Sequence, residues 1–165
     1  MTAATSSRVE ALVTQLGYID HVLKENTSGL THEDSLAQPQ PGGNCLNWIV
    51  GHVVASRNQT LGLLGKDPIW DDKTAARYLR GSDPIAGSED AVVPLEEMLA
   101  AFAAGQEAIV DALREISEED LSEMVPWFGD EAPRAVALAG MIFHETYHVG
   151  QTGVLRRFIG KDSTI

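Results

Sequence analysis

Apolar side chains recur every three or four residues along four stretches of the chain, the spacing that sets one face of an α-helix into a core. The first stretch runs from about Ser7 to Glu25, with Val9, Leu12, Val13, Leu16, Ile19 and Leu23 on its stripe and Ser7 and Glu10 spaced as a capping box. The second opens at Asn44 as N-cap and reaches about Leu64, ended by Gly65. The third carries Pro94 and two acids, Glu96 and Glu97, in its first turn, then Leu95, Met98, Leu99, Phe102, Ile109, Leu113 and Ile116 on its stripe. The fourth extends from about Pro133 to Phe158 and stops at Gly160.

The polar segments between them read as connections. Gly29 to Gly43 holds two prolines and three glycines and cannot sustain an element. Gly65 to Val93 is rich in Gly, Asp and Pro, with a short helical piece expected near Asp72 to Leu79. A connection that long implies a crossover or a cover over a site. Ser117 to Ala132 reads as irregular, and no run alternates with period two between hairpin turns, so no strand is expected. The pattern predicts an all-α fold, a four-helix bundle with a long crossover connection between helices two and three.

Composition narrows the class. A chain of 165 residues, 44% hydrophobic and 22% charged, reads as one globular domain over residues 1–165. Its net charge of −12 repels phosphate backbones and anionic lipid, which argues for no nucleic acid and no membrane surface as partners. The N-terminus lacks a cationic region followed by an apolar run, and no stretch is long enough to span a bilayer. Cys45 is the only cysteine, so no internal disulfide is expected and a reducing, cytoplasmic setting fits.

The histidines carry the candidate chemistry. At ~100° per residue, His21 faces away from the apolar stripe of its helix, while His32 sits in a connector where a capping or surface role is expected. His52, by contrast, lies at the centre of the buried stripe of helix two, with Cys45, Trp48, Ile49, Ser56, Gln59 and Leu63 around it and Asn47, Arg57 and Asn58 on the far side. His144 and His148 are one turn apart on helix four, on a face shared with Met141, Gln151 and Leu155. Three imidazoles directed into one core leave many ring nitrogens to satisfy, and a shared divalent ion satisfies them together. Three protein ligands leave a coordination position open, the arrangement of a reactive site.

Residues 144–148 read HETYH, the H-E-x-x-H string of zinc metalloproteases, but no third ligand follows His148 before Asp162 and the extended motif fails at Gln151 and Val154. A di-iron centre needs two E-x-x-H motifs, and Ile49 stands three residues before His52. Glu145 remains the candidate catalytic base, with a solvated helix face as the competing reading. Cys45, two turns from His52 along the helix, reads as a small buried apolar residue rather than a ligand.

Two segments, NCLNWIVGHVVASRN (Asn44–Asn58) and HETYHVGQTGVLRRFIGK (His144–Lys161), resemble the second- and fourth-helix segments of the DinB superfamily of bacterial four-helix-bundle metal proteins. The resemblance implies His52, His144 and His148 as metal ligands, one nickel or zinc ion per chain, and frequent homodimers. It also implies a thiol S-transferase or isomerase that takes a small-molecule substrate and a low-molecular-weight thiol such as bacillithiol or mycothiol. Alternatives are a metal-dependent hydrolase, with Glu145 as base, and a non-enzymatic metal-binding stress protein. The chain ends shortly after Gly160, so the additional C-terminal domain of the mycothiol-dependent maleylpyruvate isomerases is expected to be absent. The connector between helices two and three, through Trp70 or Tyr78, is expected to wall the pocket over the open metal position.

Overall fold

The computed structural model describes residues 6–40, 42–85 and 91–162. Four long helices, α1 (Ser7–Thr27), α3 (Leu46–Leu63), α5 (Leu95–Glu115) and α7 (Arg134–Phe158), form the bundle. Short helices α2 (His32–Ser35), α4 (Asp72–Ala76) and α6 (Glu118–Ser122) and an antiparallel hairpin, β1 (Met124–Trp127) and β2 (Asp130–Pro133), occupy the connections. Among the described residues no helix is long and apolar enough to cross a membrane.

α7 and α5 each pack against both α1 and α3, so the order around the bundle is α1, α7, α3, α5. Asn47 near the start of α3 donates to the Val93 carbonyl just before α5, and Lys66 just past α3 pairs with Glu115 at the end of α5. α3 and α5 therefore run parallel. Arg57 meets Glu145, and Arg134 donates to the Leu63 carbonyl, so α7 runs against α3. The segment between α3 and α5 must travel back along a helix of 18 residues, about 27 Å at 1.5 Å per residue. The long connection is a crossover in the geometric sense.

α3 is buried on nearly every side because it lies between α5 and α7. This changes the meaning of its far face. Asn47 and Arg57 point away from His52, as the helical wheel places them, yet both are fully buried because α5 covers that side. Arg57 Nε and Nη2 donate to the Glu145 carboxylate at 2.9–3.2 Å, Nη1 to the Phe102 carbonyl at 2.5 Å and Nη2 to Gln106 at 2.9 Å. The guanidinium carbon lies 3.5 Å above the Phe102 ring centroid. A charge pair with both side chains out of water is held by hydrogen bonds that replace its hydration.

Local details depart from the sequence reading in several places. The N-cap of α1 is Ser6, whose hydroxyl accepts from Val9 N–H, because Ser6 and not Ser7 takes the extended backbone. Cys45, not Asn44, precedes the first helical residue of α3, and its side chain makes no cap bond. The first connector contains one helical turn, held by a reciprocal Thr31–Asp34 capping box. Ser117–Ala132 is ordered as α6 followed by the hairpin, so the expectation of no strand is corrected. Pro126 and Pro133 in four-residue strands hide the hairpin from a propensity reading.

Arg57→Ala leaves Glu145 as an unpaired charge in the interior and should cost about 3–5 kcal/mol of folding stability. Urea denaturation checks this. A loss below about 1 kcal/mol would show that the site hydrates freely and that the pair is not structural.

Candidate metal centre

α3 and α7 meet antiparallel with His52 facing His144 and His148, and the ligand-capable nitrogens of the three lie within 4.8 Å of one another. The rings pack edge to face, with centroids 4.6–5.0 Å apart. His52 is buried, and the other two are half-buried.

Each histidine is oriented by what its second nitrogen touches. His52 Nδ1 lies 2.6 Å from the Tyr78 carbonyl, which accepts its proton and leaves Nε2 as a lone pair. His148 Nδ1 donates to Gln151 Oε1 at 2.8 Å, one helical turn on, and again frees Nε2. His144 Nε2 faces His52 Nε2 at 3.2 Å, while His144 Nδ1 is buried with no hydrogen-bond partner among the described residues. Two imidazole nitrogens bound at about 2.0–2.1 Å to one tetrahedral ion would sit roughly 3.3 Å apart. The donor set therefore fits a divalent ion bound through the Nε2 atoms, with carbonyl and amide partners behind two of the ligands.

Electrostatics favour the metal-ready form. Burial holds the His144 pKa down to about 4, with His148 and His52 adding to the effect. Burial lowers His52 too, against the opposing pull of the Tyr78 carbonyl. Both rings are neutral at neutral pH, as ligation requires. Burial pushes the Cys45 thiol up, so it stays protonated and inert, in keeping with a small buried residue at the helix start.

The crossover connector fixes His52 from outside the bundle. Tyr78 is fully buried, its ring lies where a Cβ on Gly51 would be, only 2.3 Å away, and its hydroxyl accepts from Val93 N–H at 2.7 Å. A side chain at position 51 would displace Tyr78 and with it the carbonyl that orients His52. Trp48 stacks on the His52 ring at 4.8 Å and is held by a hydrogen bond to Ser82.

A cavity of about 1120 Å³ opens onto all three histidines. Trp48, Ile49, Met141 and Leu155 line it from the helices, Leu79 and Arg80 from the connector, and Trp127 and Phe128 from the hairpin. The connector thus does contribute a wall, but through Leu79 and Arg80. Trp70 and Tyr78 turn inward, 5.4 Å apart, and the aromatic wall comes instead from the hairpin. Trp127 sits over Gly140, where a Cβ would come within 2.5 Å of its ring.

Glu145 is not on a solvated face: it is fully buried, and both carboxylate oxygens accept from Arg57. His21 is exposed, as the wheel implies, and His32 caps α5 by accepting from Leu95 N–H at 3.3 Å. A reading of the sequence misses Arg57, the Tyr78 carbonyl, Arg80 and the Trp127–Phe128 wall. Gln151, three residues after His148, is legible there as a neighbour on the same helix face.

Residues 18–152 match the family model of the DinB superfamily, and the chain belongs to that family. The fold is similar to that of a conserved protein from Enterococcus faecalis, with 21% identity, a TM-score of 0.71, and coverage of 91% of this chain and 95% of that one. It is also similar to a DinB-like protein from Bacillus cereus, with 22% identity, a TM-score of 0.69, and coverage of 93% and 94%. No curated protein sequence matches the chain.

The lowered histidine pKa values make a signed prediction for metal-free protein. The folded state binds fewer protons than the unfolded state between pH 6.5 and about 4, so stability should fall as pH drops through that window and level off below it. Urea midpoints measured from pH 7.5 to 3.5 check this, and His144→Gln should flatten the slope. A midpoint that does not change between pH 6.5 and 4 contradicts the buried, neutral state of these rings.

Proposed function

We propose that this DinB superfamily chain is a metal-dependent S-transferase that joins a low-molecular-weight thiol to an electrophilic small molecule. One observation carries the reading: the large, mostly apolar cavity opens directly onto the three histidines instead of being sealed by packed side chains. A structural metal site would have no use for that space.

His52, His144 and His148 would hold a zinc or nickel ion. Such an ion would lower the pKa of a thiol placed at its open position and so supply a nucleophile at neutral pH. The protein's own contribution is orientation and exclusion. Tyr78 and Gln151 hold two of the imidazoles in the tautomer that presents Nε2. Trp48, Met141 and Leu155 border the reaction space with apolar surface, which limits water around a reactive sulfur. Glu145 already accepts from Arg57 through both oxygens, which favours the thiol reading over a hydrolase that would employ it as general base. Its assigned role is to position His144, the adjacent residue on α7.

The proposal extends to a homodimer. Val136, Phe143, Tyr147, Val154 and Phe158 are exposed at alternating seven- and four-residue spacing along α7. That spacing makes a straight apolar seam, the form that packs against another helix, and a second copy offers a matching one.

Zinc- or nickel-loaded protein, supplied with a thiol and a chromogenic haloarene, should form the thioether at a rate lost on chelation and in His144→Ala. Transfer that persists in the chelated protein would remove the metal from the mechanism. Sedimentation should show a dimer that becomes monomeric in the Phe143→Glu, Tyr147→Glu double variant. A wild-type monomer at tens of micromolar would overturn the assembly.

A further inference from the structure

The charge on the cavity wall runs against the charge of the chain. The sequence has 24 acidic and 12 basic residues, yet among the described residues no carboxylate lines the cavity and Arg80 is its one permanently charged side chain. Arg80 is exposed and makes no hydrogen bond or ion pair among the described residues. Arg77, one turn earlier, is instead committed to the Asp83 and Pro84 carbonyls. A free guanidinium on a wall cleared of carboxylates is a receptor for an anionic group.

The hairpin adds an independent feature. The pairing of Trp127 with Asp130 leaves Phe128 and Gly129 as a two-residue turn, with φ of 48° and 87°. Both values are left-handed, the requirement of a type I′ turn, for which Asn-Gly is the favoured filling. A phenylalanine in that conformation is strained. Core packing does not select it either, because the residue is 91% exposed. What Phe128 does have is a place on the cavity wall beside Trp127. Strain kept at a cavity mouth for the sake of an exposed aromatic ring indicates contact with a ligand.

We propose that the cavity takes an organic anion with an aromatic or apolar body, its carboxylate or sulfonate held by Arg80 and its body covered by Trp127 and Phe128. The proposal rests on the reading of the cavity as the substrate site of the transferase. One guanidinium suits a single anionic group rather than a polyphosphate, and the aromatic wall suits a flat body.

The test uses two probes of like shape, 1-anilinonaphthalene-8-sulfonate and neutral N-phenyl-1-naphthylamine, titrated against the full chain both zinc-loaded and chelated, with zinc content measured in the same samples. Wild type should bind the sulfonate more tightly than the neutral probe in both states. Arg80→Ala should weaken the sulfonate about tenfold and leave the neutral probe unchanged. Phe128→Asn should weaken both probes severalfold while thermal stability holds or rises, because asparagine suits the turn. A sulfonate preference that survives Arg80→Ala, or probe affinities untouched by Phe128→Asn, overturns the proposal. Failure of the chain to take up zinc would instead count against the metal-dependent reading, leaving the Arg80 comparison to decide the anion site by itself.

Discussion

The bundle is organised around one buried charge pair. Arg57 on α3 and Glu145 on α7 are both out of water, and neither can stay there without the other. Their pairing fixes how far α3 slides along α7, because a shift of one turn would strand two charges in the interior. Glu145 is the chain neighbour of His144, and Arg57 lies about one turn beyond His52. The register that joins the ions is therefore the register that brings the His52 and His144 Nε2 atoms to 3.2 Å. α5 is tied in by the Phe102 carbonyl, the Phe102 ring and Gln106. Gly105 lets it approach, since a Cβ there would come within 2.3 Å of Ile69 and 3.2 Å of Arg57. α1 is fastened to α7 at the far end, where Asn26 donates to Thr152 and Arg156 to the Asn26 and Ser28 carbonyls.

On this scaffold the work divides between helices and connections. The helices hold the nitrogen donors, which must keep their spacing to within a fraction of an ångström to share an ion. The connections supply what can vary: the crossover orients His52 through a backbone carbonyl and offers Arg80, and the hairpin lays Trp127 and Phe128 across the opening. An amide carbonyl serves for orientation whatever the side chain, so Tyr78 is held in place by its packing on Gly51 and its bond to Val93 rather than by contact with a ligand. A rigid helical frame of this kind holds the three histidines in place whatever side chains the connections bring to the cavity.

Helical periodicity is a local property, and the sequence by itself determined the features that depend on it alone. These are the four long amphipathic stretches, their approximate ends, the length of the crossover, and the inward direction of His52, His144 and His148. The same periodicity places Gln151 beside His148. It cannot say which surfaces meet. On a helical wheel Arg57 belongs to the polar side of α3, and only the packing of α5 over that side buries it. Glu145 is buried for a related reason, since a charge enters an interior only with a partner from another helix. The hairpin is hidden from the sequence because its pairing, not its propensity, stabilises four-residue strands that contain proline. The bulk of Trp70 and Tyr78 suggests a cavity wall, but their direction depends on how the crossover folds back over Gly51. Tertiary structure alone decided the wall of the cavity, its sign of charge and the carbonyl behind His52, because each depends on contacts between residues far apart in the chain.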